Sequence, residues 1–216
     1  MHNGTRPTNS PAPPDYSVRT TATLDELLSV WRIDCLAYGE DNVPFEVLLG
    51  WWERCPQGHL LIETRQGAVV GGLGLWPVAQ ETYQALRQGT LNENDLSVLS
   101  CPKTGLNENH GYLSGVALDE PHRRTRALFY LVRQAAAQWR ATEARGARTR
   151  IGALATSEKG GQLLARLGFA MTGALRHCSL FYERTLCTEG EPAEPMRPLC
   201  ARLPAGGGFP PYAALR

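Results

Sequence analysis

The chain predicts an α/β (α+β) fold, with β-suited runs alternating with amphipathic helical segments along its 216 residues. Three observations carry this expectation. The apolar run GYLSGVALD, from Gly111, passes through the turn PHRRTR into a long helical segment with Leu128, Leu131, Val132, Ala135 and Trp139 on one face. The strand-like TRIGALA and a short helix closing on LARLGF follow it. Upstream, GHLLIETRQGAVVGGLGLWPV places two β-suited runs around the turn-forming Arg65-Gln66-Gly67, a hairpin pattern.

The elements follow in order. Residues 1–14 hold four prolines among small polar residues and read as a disordered lead-in, so that structure begins near Tyr16. YSVRTTA alternates as a strand. Thr23 is an N-cap for a helix with Leu24, Leu27, Leu28, Trp31 and Ile33 at largely helical spacing. PFEVLLGWWERC is a second helix, with Pro44 near its first turn and Gly50 weakening its interior. The glycines of GAVVGGLG sit inside a strand pattern with no helix behind them. They fit a bulge or a close backbone approach, not a dinucleotide fingerprint.

Residues 78–110 carry the helical AQETYQALRQG and then a polar stretch in which LNEN occurs twice, an insertion or lid suited to substrate recognition. In the run after Gly111, strict alternation sets Tyr112, Ser114, Val116 and Leu118 on one face, with Leu113, Gly115 and Ala117 on the other. Arg133, Gln138, Arg140 and Glu143 of the next helix can face water, and Gly146 stops it. Arg148 to Ala155 is a strand, Ser157 to Leu167 a helix, and Phe169 opens a final strand toward Tyr182. The segment 187–216 holds six prolines and a Gly-Gly-Gly run and reads as a tail. One domain over 15–186 accommodates everything between.

Composition narrows the function classes. At 43% apolar and 20% charged, with a formal charge of +1, the chain has no global attraction for nucleic acid or anionic lipid. No apolar run is long enough for a membrane span, and the N-terminus lacks a signal-peptide core, so the expected location is cytoplasmic. The six cysteines form no CxxC pair and lie near no histidine at metal-ligand spacing, and no metal is expected. Cys178 follows His177, but strand neighbours point to opposite faces. The arginines therefore matter locally: a strand running into a helix N-terminus gathers N–H groups and the positive dipole end into an anion site. Arg123, Arg124 and Arg126 oppose that dipole unless an anion or the nearby Asp119 and Glu120 compensate.

Residues 111–169 resemble the GNAT superfamily of N-acyltransferases by motif, and about residues 16–186 by order of elements. In that family an apolar strand end and a PxxR-like turn lead to the acyl-CoA pyrophosphate loop, written R/Q-x-x-G-x-G/A, and a later Leu-Gly-Phe ends the fourth helix. Here the run is Arg123-Arg124-Thr125-Arg126-Ala127-Leu128, with Leu167-Gly168-Phe169 downstream. The resemblance implies a mixed, mostly antiparallel central sheet of six to seven strands with helices on both faces. It implies acyl transfer from acetyl-CoA or another acyl-CoA to a small-molecule or peptide amine, by direct attack on the thioester between splayed fourth and fifth strands. Val116, Ala117, Leu118, Arg123, Arg124, Thr125, Arg126, Ala127, Leu128 and Ser157 fall at the acyl-CoA positions.

The departures from the pattern are specific. Arg126 and Leu128 stand where glycine or alanine lets backbone N–H groups approach the pyrophosphate, and the Arg126 guanidinium offers charge-assisted bonds in exchange. Ser157 stands for an asparagine that contacts pantetheine. Leu164 stands for the tyrosine that protonates the leaving thiolate. Tyr112 falls where several members carry a glutamate base, flanked by His110 and Ser114, which leaves these three as catalytic candidates. Two other readings stay open: a catalytically silent CoA-sensing or interaction module, and an N-acyltransferase that takes its acyl group from an acyl carrier protein. A homodimer is compatible with each.

Overall fold

The computed structural model describes residues 15–100, 108–142, 148–172 and 179–187. The lead-in 1–14, the tail beyond Cys187, Gly146, and His177 with Cys178 lie outside them. The elements run β1 (Tyr16–Thr20), α1 (Leu24–Tyr38), α2 (Phe45–Arg54), β2 (His59–Thr64), β3 (Val69–Val78), α3 (Gln80–Arg87), β4 (Glu108–Leu118), α4 (Ala127–Thr142), β5 (Arg148–Ala155), α5 (Glu158–Arg166), β6 (Ala170–Met171) and β7 (Leu180–Cys187). The seven strands form one sheet in the order β1-β2-β3-β4-β5-β7-β6. Only the central β4–β5 pair is parallel.

Local chemistry accounts for the boundaries. Thr23 caps α1 in a capping box with Glu26, which satisfies first-turn N–H groups that would otherwise be orphaned. The β2–β3 hairpin turns at Gly67, whose φ of 84° suits glycine alone. The other glycines of that run answer to close packing: a Cβ on Gly71 would stand 2.3 Å from the Ala117 carbonyl oxygen. The segment after Phe169 forms two strands, β6 and β7, in place of the single strand expected there.

The sheet separates two apolar layers. On one face Ala127, Leu131, Ala135 and Trp139 of α4 and Leu164 of α5 pack on Leu73, Leu75, Leu113 and Leu118. On the other, Leu27 of α1, Leu48 and Trp51 of α2, and Tyr83 and Leu86 of α3 surround Trp76, Tyr112 and Phe181. Gln138, partly exposed, donates to the Gln57 carbonyl at 3.0 Å. Residues 80–100 belong to the body of the domain: Val98 bridges Val78, Leu99 N–H donates to Pro77 at 2.8 Å, and the Trp51 indole donates to the Leu96 carbonyl at 3.1 Å.

Candidate active-site cleft

The parallel pairing of β4 with β5 stops at Leu113–Ala153, although both strands continue. At that point the register between β3 and β4 jumps from Gly74–Gly115 to Leu75–Leu113, so that Ser114 is an extra, bulged residue. A bulge sharpens local twist and re-aims the strand. β4 thus leaves β5, and a cleft opens between them, reaching from Leu113, Val116, Ala153 and Leu164 to Tyr38, Asp41, Asn42, Val43 and Glu93.

The bulge also corrects the facing expected from alternation. Leu118 and Val116 pack with the α4 layer, whereas Tyr112 packs with the α1–α3 layer, so the four residues do not share a face. Ser114 accepts a hydrogen bond from the Trp76 indole at 2.8 Å, and a side chain at Gly74 would put its Cβ 2.5 Å from that hydroxyl. The extra residue needs the glycine opposite it.

Beyond the bulge, the Val116 N–H and C=O point away from β3 into the gap. The Tyr38 hydroxyl, carried by the last residue of α1, donates to the Val116 carbonyl at 2.9 Å and accepts from its N–H at 3.0 Å. Burial raises the Tyr38 pKa further, so the phenol stays protonated near neutrality. The Leu118 carbonyl accepts from Arg123 Nε at 2.9 Å. Ala117 is buried within the β3 pairing.

At the end of β4, Thr125 Oγ1 accepts from the Ala127 N–H at 3.1 Å and so caps the start of α4. The following first-turn donors, at Leu128 and Phe129, have no intrahelical acceptor by geometry. Arg123, Arg124 and Arg126 are exposed around this terminus, and Leu128 is half-buried against the core. Ser157 lines the cleft as the N-cap of α5, its hydroxyl oxygen accepting from Gly160 N–H at 3.1 Å. That oxygen is committed to the helix.

The structure brings together a group that sequence reasoning missed. Glu93 lines the cleft from the turn after α3, and its Oε1 is buried without a hydrogen-bond partner. Burial pushes its carboxyl up to about 7, with Tyr112 acting in the opposite direction. Tyr112 is fully buried, its hydroxyl likewise has no partner, and burial together with the Glu93 charge holds its pKa well above the ordinary value. Tyr112 faces Glu93 closely enough to oppose the upward shift of its carboxyl, although neither buried oxygen has a partner in strict hydrogen-bond geometry. On α1, burial pushes the Asp34 carboxyl up to about 7 as well. His110 is placed elsewhere: it is buried against Tyr83, ring centroids 4.7 Å apart, and does not line the cleft. The one sequence clue to Glu93 was that it is one of two carboxylates, with Asp95, held between the apolar anchors Leu91 and Leu96 inside a polar stretch.

No family model matches the sequence, and no curated protein matches it. Among solved structures, the loading GNATL domain of CurA from Lyngbya majuscula is similar, with a TM-score of 0.56 at 12% identity over 78% of this chain and 96% of that one. The fold is the GNAT fold. The NatC complex bound to Gag peptide and CoA is similar at a TM-score of 0.55 and 10% identity, covering 81% of this chain and 99% of that one. Ard1 from Thermoplasma volcanium is similar at 0.54 and 13%, covering 82% and 100%. At these identities the likeness is one of fold. No described helix is long and apolar enough to cross a membrane.

Proposed function

We propose that this GNAT-fold chain is an N-acyltransferase that moves an acetyl or other acyl group from acyl-CoA to an amine by direct attack on the thioester. The observation that carries the reading is the cleft opened by the Ser114 bulge, which reaches from the α4–α5 layer to the α1–α3 layer. A thioester in such a passage is approached by donor and acceptor from opposite faces, and holding them together supplies a large part of a rate enhancement. The α4 terminus and the exposed Arg124 and Arg126 suit the anionic end of the donor. The edge of β4 at Val116 suits the amides of its extended arm.

In this reading the ammonium of the acceptor passes a proton to Glu93, and the free amine nitrogen bonds to the carbonyl carbon. The C–S bond then breaks with its electron pair on sulfur, and the nitrogen's second proton leaves through water, which protonates the thiolate. A pKa near the working pH favours a group that must first take a proton and later return it. Leu164 offers no proton, so the thiolate takes one from water. Peptide acceptors belong among the acceptors to be tried, since similar structures include NatC bound to Gag peptide and CoA, and Naa50 with the bisubstrate analogue CoA-Ac-MVNAL.

A second reading, a silent CoA-sensing module, is favoured by Leu164 and by the commitment of Ser157 to its helix cap. Transfer from an acyl carrier protein is a variant of the first. Thiol release from acetyl-CoA with a panel of amines and capped peptides separates them. The expected outcome is turnover, with Arg124→Ala and Arg126→Ala each raising KM for acetyl-CoA about three- to tenfold at little change in kcat, as the loss of a charge-assisted phosphate contact would. Acetyl-CoA binding without turnover would favour the sensor. Binding to acyl carrier protein alone would favour the variant.

A further inference from the structure

The cleft is electrically lopsided. Its lining includes the carboxylates of Asp41 and Glu93, and no lysine, arginine or histidine among the described residues. Both carboxylates lie on the α1–α3 side, Asp41 just past the end of α1 and exposed at the mouth, Glu93 inside. Acidic side chains at a surface are ordinarily solvated and signify nothing by themselves. Glu93 is different, because its Oε1 is buried without a hydrogen-bond partner. A buried polar atom left without a partner is costly unless a ligand supplies one.

An ammonium group supplies three donors and no acceptor, which matches the Glu93 carboxylate oxygen that lacks a donor. A substrate carboxylate near that amine would face two acidic side chains with no described cation lining the cleft to receive it. A second positive charge on the substrate would instead meet Asp41 at the mouth. We propose that the acceptor of this site is an amine bearing two positive charges and no carboxylate, its reacting end held at Glu93 and its far end at Asp41. This rests on the acyl-transfer reading and adds to it the chemical class of the acceptor.

The test uses the full chain with saturating acetyl-CoA and three probes of similar length that differ at the far end: 1,4-diaminobutane, butylamine and 4-aminobutanoate. Thiol release gives kcat/KM for each. The diamine is expected to exceed butylamine by about tenfold, equivalent to about 1.4 kcal/mol, and 4-aminobutanoate to be the poorest of the three. Asp41→Asn is expected to bring the diamine-to-butylamine ratio to within about threefold, mainly through KM for the diamine. Titration calorimetry of the same probes onto the wild-type chain gives the order of binding without relying on turnover or on the variant.

Equal use or equal binding of the diamine and the amino acid would overturn the inference while leaving acyl transfer standing. So would an unchanged ratio in Asp41→Asn, or a capped peptide outrunning the diamine. Absence of thiol release with every amine, with the diamine still bound in preference, would overturn the acyl-transfer reading and keep the charge preference of the cleft.

Discussion

Replacing Tyr38 with phenylalanine removes one oxygen atom and strands two backbone groups. The Val116 N–H and C=O lie beyond the last β4–β5 pair, and the Tyr38 hydroxyl is their partner at 3.0 and 2.9 Å. A fully dry loss would cost about 1–3 kcal/mol, but water enters an open cleft and replaces part of it, which leaves about 1 kcal/mol. For a chain of this size that corresponds to a Tm about 2–4 °C lower. If the amide-bearing arm of an acyl-CoA pairs with the same edge, it competes with the tyrosine in the wild type and meets no competitor in the variant. Stabilisation by ligand follows RT ln(1 + [L]/Kd), so saturating acetyl-CoA is then expected to narrow or reverse the difference in Tm. Thermal unfolding followed by circular dichroism, with and without acetyl-CoA at fixed pH, reads both effects. An unliganded Tm within about 1 °C of wild type, below the range worked out here, would refute the bridging role of the hydroxyl. An equal fall with and without ligand would refute the competition.

Two further outcomes follow from the geometry. The Glu93 carboxyl is raised from 4.5 to about 7 by burial, so the folded chain keeps a proton that the unfolded chain has already lost. Stability from this group is therefore greatest below about pH 4.5, declines as pH rises toward 7, and levels off above it. The whole effect is at most about 3.5 kcal/mol, at about 1.4 kcal/mol per unit. Glu93→Gln removes it, and is expected to raise Tm by several degrees at pH 8 and very little at pH 5. Asp34, shifted in the same direction, keeps part of the slope in the variant. An equal offset at both pH values would contradict the assignment. Gly50, exposed within α2 with open space where a Cβ would lie, is expected to gain about 1 kcal/mol on substitution by alanine. Gly71→Ala is expected to lose about 1–3 kcal/mol, because its Cβ would meet the Ala117 backbone oxygen, which cannot rotate away. Denaturant midpoints compare the pair, and similar changes in both would show that β3 and β4 lie farther apart than described.

Much of the fold was legible in the chain because its signals are local. Thr23 and Glu26 close a capping box within one helical turn, Arg65-Gln66-Gly67 makes a hairpin turn, and the Leu131-Ala135-Trp139 stripe faces the sheet at helical spacing. The elements proposed to hold the donor were legible for the same reason, since the strand, the arginine-rich turn and the helix start are consecutive. The acceptor end was not. His110, a candidate by residue type, is buried against Tyr83, while Glu93 lay unremarked in a polar stretch.

What the sequence by itself determined was the order and kind of elements, the GNAT-like run from Gly111 to Phe169, and the places where that run departs from its pattern. Tertiary structure decided where β4 leaves β5, which side of the sheet each β4 residue faces, and which carboxylate enters the cleft. Helical and strand periodicities repeat over a few residues and can be read from neighbours in the chain. A bulge at Ser114 depends on a glycine in another strand, and the burial of Glu93 depends on Trp51, Leu96 and Val98 holding its turn against the sheet. Those are relations between distant segments, and folding alone brings them into contact.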